Sequence, residues 1–273
     1  MGDLGLICLI PLAEPARLDA AAVREALRRI ASRCDVVVEH PLIDDGEDGN
    51  GGGLALWIDR QQFSVAALAG RLPQEVHDAA TQSPIGWPGR AEALAAESVF
   101  IAAVAAEPVT GHGLARAQAI ALTRLAATLA ETLPALAMIW EPSGVAASPD
   151  RLASLLDLIL QERWPVEIWI GYHLLRAGPD QPSFVGARSQ GAAIYFGSEI
   201  EVVPFPTADR SEPLRIALAT VSHLMAHGSH VRDGQLIETP GGRRVCGTLH
   251  SGRDGGPGAI RLTAEAGMPA TSS

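Results

Sequence analysis

Two spacings of apolar residues alternate along the chain: short continuous runs, and longer stretches that repeat once per helical turn. Residues 4–10 form an apolar run of the kind a buried strand shows. Leu18, Ala22, Val23, Ala26, Leu27 and Ile30 then recur at helical spacing, with Arg24, Glu25 and Arg28 turned to the opposite side. A strand over 35–40 follows. Acids, asparagine and glycine at 44–53 cannot pack and predict a loop before a strand at 54–58, with 63–68 returning as a hairpin.

Residues 73–96 have helical character interrupted by Pro84 and Pro88, and 98–106 restore a buried strand. From Leu114 a longer helix sets Ala121, Leu122, Leu125 and Leu129 on one face, and Pro134 ends it before a short strand at 135–140. Ser148 is placed as an N-cap and Pro149 as the first helical residue, ahead of the stripe Leu152, Leu155, Leu156 and Ile159. Strands are predicted at 166–172 and 199–205, then a helix at 213–227 burying Leu214, Leu218, Val221 and Met225, then strands at 235–238, 244–249 and 259–262. Strands and helices are interspersed without strict alternation, so the expected class is α+β. The expected architecture is two ferredoxin-like (β-α-β-β type) halves with mixed, largely antiparallel sheets, residues 1–97 and 98–263, and a frayed tail at 264–273.

Composition narrows the chemistry. All 21 basic residues are arginine, and the chain contains no lysine. A P-loop, a pyridoxal-phosphate Schiff base and a protein-kinase site each need a lysine, so all three fall together. The formal charge of −10 works against a nucleic-acid or anionic-membrane partner. Cys8, Cys34 and Cys246 are far apart and odd in number, which fits reduced thiols in a cytoplasmic protein better than a disulfide framework or a cysteine zinc site. The wider apolar run 4–12 follows Asp3, contains Pro11 and has no basic lead-in, so a strand is expected there instead of a signal peptide.

The segment Gly191-Ala-Ala-Ile-Tyr-Phe-Gly-Ser-Glu-Ile-Glu-Val202 resembles the helix–glycine–strand signature of the bacterial proteins grouped as domain of unknown function 4261. Trp87 with the helix to Glu97, Leu122-Thr-Arg-Leu125, Met138-Ile-Trp140, Ile168-Trp-Ile170 and Asp233-Gly234 occur in that family's order. Ala192 and Gln235 depart from its pattern. The family is uncharacterised, so the resemblance implies a fold and carries no catalytic residues.

His223 and His227 lie one helical turn apart, with His230 in the following turn, a spacing that could present imidazoles to one metal, although no HExxH glutamate accompanies them. Glu199 and Glu201 would share one side of a strand, near enough to share a proton or a cation, and the same pattern suits a strand with one wet face. Gly111-His-Gly-Leu-Ala-Arg116 is a partial dinucleotide fingerprint in which Arg116 replaces the third glycine. The acids Asp44, Asp45, Glu47 and Asp48 lack calcium-loop spacing, and Gly186 to Gly191 is one residue too long for a nucleophile elbow at Ser189.

Two readings of function follow. A non-catalytic cytoplasmic protein acting as a homo-oligomer or by holding a protein partner, with no cofactor, is favoured because no catalytic constellation is complete. The alternative is an enzyme or a protein that binds a small ligand or metal in a cleft between the halves, using Glu199, Glu201, Trp140 and His173 or the His223 group.

Overall fold

The computed structural model describes residues 5–30, 53–109, 111–227, 231–239, 242–252 and 258–264, together with the backbone of 36–41. The expected loop over 44–52, His230, Cys34 and the tail from 265 lie outside the described residues. The fold is α+β, and the chain divides into two compact units, Gly2–Trp169 and Ile170–Ser273.

The first unit runs β1 (Ile7–Leu12), α1 (Ala20–Ile30), β2 (Val36–Pro41), β3 (Gly53–Ile58), β4 (Gln61–Ala69), α2 (Gln74–Gln82), α3 (Arg90–Ala95), β5 (Val99–Ala105), α4 (His112–Thr132), β6 (Met138–Trp140), β7 (Val145–Ala147), α5 (Pro149–Leu160) and α6 (Val166–Trp169). Its seven strands lie in the order β2-β3-β4-β5-β1-β6-β7, every neighbouring pair antiparallel. Both faces of the sheet are covered. Leu9, Phe100, Ala102, Ile139 and Ala146 pack against Leu72, just before α2, Ala80 from α2 and Leu94 from α3. Helix α4 lies against β1, β4 and β5 and also meets α1 and α5, so its apolar residues are buried nearly all round. Strand β1, lying centrally and covered on both sides, is accordingly apolar without alternation.

The boundary expected after Glu97 does not divide the structure. Strand β5 is hydrogen-bonded between β4 and β1, inside the first sheet, and the division falls at Trp169. The strand expected at 166–172 is also replaced. Val166–Trp169 forms a helical turn in which the Pro165 carbonyl accepts from the N–H groups of Ile168 and Trp169, and β8 begins only at Gly171. A short apolar run suits either state. Burial of Val166, Ile168 and Trp169, with the Trp169 indole donating to Thr123 Oγ1 at 2.9 Å, selects the turn.

The second unit runs β8 (Gly171–Arg176), β9 (Phe184–Gln190), α7 (Ala192–Phe196), β10 (Ser198–Pro206), α8 (Glu212–His227), β11 (Gln235–Glu238), β12 (Arg244–His250) and β13 (Gly258–Ala264). The strand order is β11-β12-β13-β10-β9-β8; β10 and β13 are parallel and the other pairs antiparallel. Helix α8 covers one face. It buries Ile216, Ala217, Thr220, Val221, Leu224 and Met225, leaving Leu214 and Leu218 half-buried, a stripe rotated from the expected one. Before α8, Asp209 accepts from the side chain and the N–H of Ser211, which hold its carboxyl below the usual carboxylate range, and Arg215 reaches the same group.

The thiols differ in environment. Cys8 is fully buried on β1, where desolvation pushes its pKa far up, whereas Cys246 on β12 is half-buried. In a Cys34→Ser background, a thiol reagent is expected to modify Cys246 in the native protein and Cys8 only after unfolding. Rapid native labelling of both would contradict the packing of β1.

Candidate functional site

The segment from β9 through α7 to β10 is a tight helical crossover whose ends are set by glycine. Gly191 (φ 90°) and Gly197 (φ 72°) bracket the five residues of α7 in left-handed conformations that side chains disfavour. The first N–H groups of so short a helix have no partners within it. Glu199, buried on β10, supplies them. Its carboxylate accepts from the N–H of Gly191 at 3.0 Å and from those of Ala192 and Ala193, each at 3.2 Å. Ser189 Oγ donates to the same carboxylate at 2.5 Å and accepts from the N–H of Ile200 at 2.7 Å, closing the network between β9 and β10.

Glu201 has different partners. Arg261 Nε lies 2.9 Å and Arg188 Nη1 3.9 Å from its two oxygens. The register explains the meeting: His173, Arg188, Glu201, Arg261 and Thr248 stand opposite one another on five successive strands. His173, exposed at the β8 end of this row, bonds Gln190 Oε1 through Nε2 at 2.5 Å. The two glutamates thus serve two separate networks.

Trp140 belongs to the first unit and is fully buried. Its ring stacks on Trp169, with centroids 6.1 Å apart, and Trp169 stacks on Trp164 at 6.4 Å; the guanidinium of Arg116 caps Trp164 at 5.1 Å. That stack joins α4, β6 and α6 within one core, and Arg116 of the partial dinucleotide fingerprint is thereby engaged with an indole.

The chain matches no protein-family model, and no curated protein or solved structure is found to match it. Function must therefore be argued from geometry.

His223 and His227 are both exposed on α8, and their rings stack with centroids 4.4 Å apart. His223 also lines a groove of about 750 Å³ in the second unit, between α8 and the β11–β12 hairpin. Thr220, Leu224 and Val231 form part of its lining, with Ile237 and Glu238 from β11. Among the described residues no cluster of three or more histidine, cysteine or acidic side chains is arranged to hold a metal.

The sequence raised Ser189 only as a nucleophile and did not single out Arg188 or Arg261, and these three residues complete the glutamate networks. Their signal is the cross-strand register, which appears only once β9 is known to be a strand. The groove has no local signal either, because its walls come from α8, Val231 and β11, which do not adjoin along the sequence.

Proposed function

We propose that the chain is a cytoplasmic, non-catalytic protein that acts by self-association through the β11 edge of its second sheet, and that it is a member of the uncharacterised family its Gly191–Val202 segment resembles. The observation that carries the association is the state of that edge. Strand β11 ends the sheet, and Leu236 on it is half-exposed. An edge strand presents a row of backbone donors and acceptors to another chain, and an apolar side chain beside it adds burial on pairing. The opposite edge, β8, carries the partly exposed Leu174. Pairing β8 with β11 of a second copy would build open chains, whereas pairing β11 with its own copy about a twofold axis closes a dimer, the commonest symmetric assembly.

The absence of catalysis is supported by the two carboxylates best placed for acid–base work. Glu199 is saturated by four donors and Glu201 lies between two arginines, so neither is presented to a substrate. Family membership is supported by the local fold, since the resembling segment forms a helix, a glycine turn and a strand. No helix of the described residues is long and apolar enough to cross a membrane.

Light scattering coupled to size exclusion tests the association. The wild-type chain is expected to run as a dimer, and Leu236→Glu as a folded monomer that melts no lower than wild type diluted until it too is monomeric, since Leu236 is half-exposed in its own subunit. A wild type that stays monomeric well above micromolar concentration, or a dimer indifferent to Leu236→Glu, would refute the β11 interface.

A further inference from the structure

We propose that His223 and His227 chelate a divalent late first-row transition metal, such as Zn²⁺ or Ni²⁺, through their Nε2 atoms on α8 at the edge of the groove beside β11. The helix places the two imidazoles on successive turns of one face. Their rings lie together, with centroids 4.4 Å apart, so the pair is within reach of one ion once a side-chain rotation turns the stacked rings from near-parallel to convergent. The tautomer of His227 is fixed as well. Its Nδ1 lies 3.0 Å from the His223 carbonyl, and a carbonyl can only accept, so Nδ1 carries the proton and Nε2 keeps its lone pair for a metal. Holding the second ring nitrogen by a backbone carbonyl is the arrangement that orients histidine ligands in metal sites.

The donor set chooses the class of ion. Two neutral imidazoles suit zinc, nickel and copper, whereas magnesium and calcium require hard oxygen donors. Two protein ligands leave positions open. His223, though not His227, lines the groove of about 750 Å³, so the ion would sit beside a space large enough for water or for an exogenous donor ligand. The two ligands lie on α8 and not on the β11 edge, although the groove shares Leu236 with that edge, so failure of metal binding would leave the pairing intact.

The full chain is titrated calorimetrically with Ni²⁺ and, separately, Zn²⁺, with Mg²⁺ as the hard-ion control and His250→Ala as a control for an exposed histidine elsewhere in the unit. One equivalent of Ni²⁺ or Zn²⁺ is expected to bind wild type and His250→Ala alike, with no heat from Mg²⁺. His223→Ala and His227→Ala are each expected to weaken binding by about tenfold or more. Both positions are exposed, so both variants should melt as wild type does. Absence of Ni²⁺ and Zn²⁺ binding by wild type, or binding that survives unchanged in both variants, overturns the proposal.

Discussion

Glu199→Ala is expected to destabilise the second unit by on the order of 3 kcal/mol, through unmatched donors instead of lost apolar contact. The wild-type carboxylate satisfies three consecutive N–H groups at the start of α7 and the Ser189 hydroxyl, in a position from which water is nearly excluded. Alanine leaves those donors facing a void, and each buried donor without a partner costs about 1–3 kcal/mol. Loss of a helix cap alone typically costs about 1 kcal/mol, so the excess over that value measures the remainder of the network. Glu199→Gln keeps the shape but turns an NH₂ group toward N–H donors, and an intermediate loss is expected. Glu201→Gln, which removes a partly exposed ion pair, should cost no more than about 1 kcal/mol. The composition supplies a convenient probe: both tyrosines, Tyr172 and Tyr195, lie in the second unit, while all five tryptophans lie in the first. Urea unfolding followed by tyrosine absorbance therefore reports the relevant unit. Equal stability losses for Glu199→Ala and Glu201→Gln would show that the buried cap contributes nothing of its own.

The contrast between the two glutamates also marks how far the sequence was legible. The pattern Glu-Ile-Glu-Val correctly predicts a strand, and alternation is all that a single strand can express. Partners come from other strands. Arg188 and Ser189 lie on β9, whose sequence Phe-Val-Gly-Ala-Arg-Ser-Gln offers only two residues with strong strand preference, and its placement between β8 and β10 is what makes it a strand. Elements with a strong local signal fared differently. Ser148 accepts from the N–H of Arg151 and Pro149 opens α5, as their types predict, because capping chemistry is contained in a few adjacent residues.

The division into units shows the same limit at larger scale. Residues 98–106 were recognisable as a buried strand, yet nothing in them specifies pairing with β1, some ninety positions earlier. The same holds for the candidate site. Spacing along α8 was enough to place His223 and His227 together, while the groove beside His223 depends on how the β11–β12 hairpin is laid against the helix.

A second large effect is expected at Gly186, a position whose need for glycine arises from the next strand. Between Val202 and Phe205 the β9–β10 register shifts, and Pro204, which has no N–H to give, lies in that irregularity. The displaced backbone presses onto β9. A Cβ added at Gly186 would lie 2.4 Å from the Val202 carbonyl oxygen, 2.8 Å from Pro204 N and 3.0 Å from Pro204 Cδ. Two of these are main-chain atoms and the third belongs to a rigid ring, so no side chain can rotate away. Either β9 and β10 separate, weakening the pairing that brings Ser189 to Glu199, or the bulge itself must be rebuilt. Gly186→Ala is accordingly expected to lie at the upper end of overpacking penalties, about 3 kcal/mol, in the same tyrosine-monitored unfolding. Gly247→Ala provides the comparison, since its nearest obstacle is the side chain of Val231 at 2.6 Å, a buried residue that lines the groove. That methyl can shift, so the expected cost is smaller. If Gly186→Ala proved as mild as Gly247→Ala, the bulge at Pro204 would have to be soft, and the close β9–β10 contact would not be what fixes the geometry of the Glu199 network.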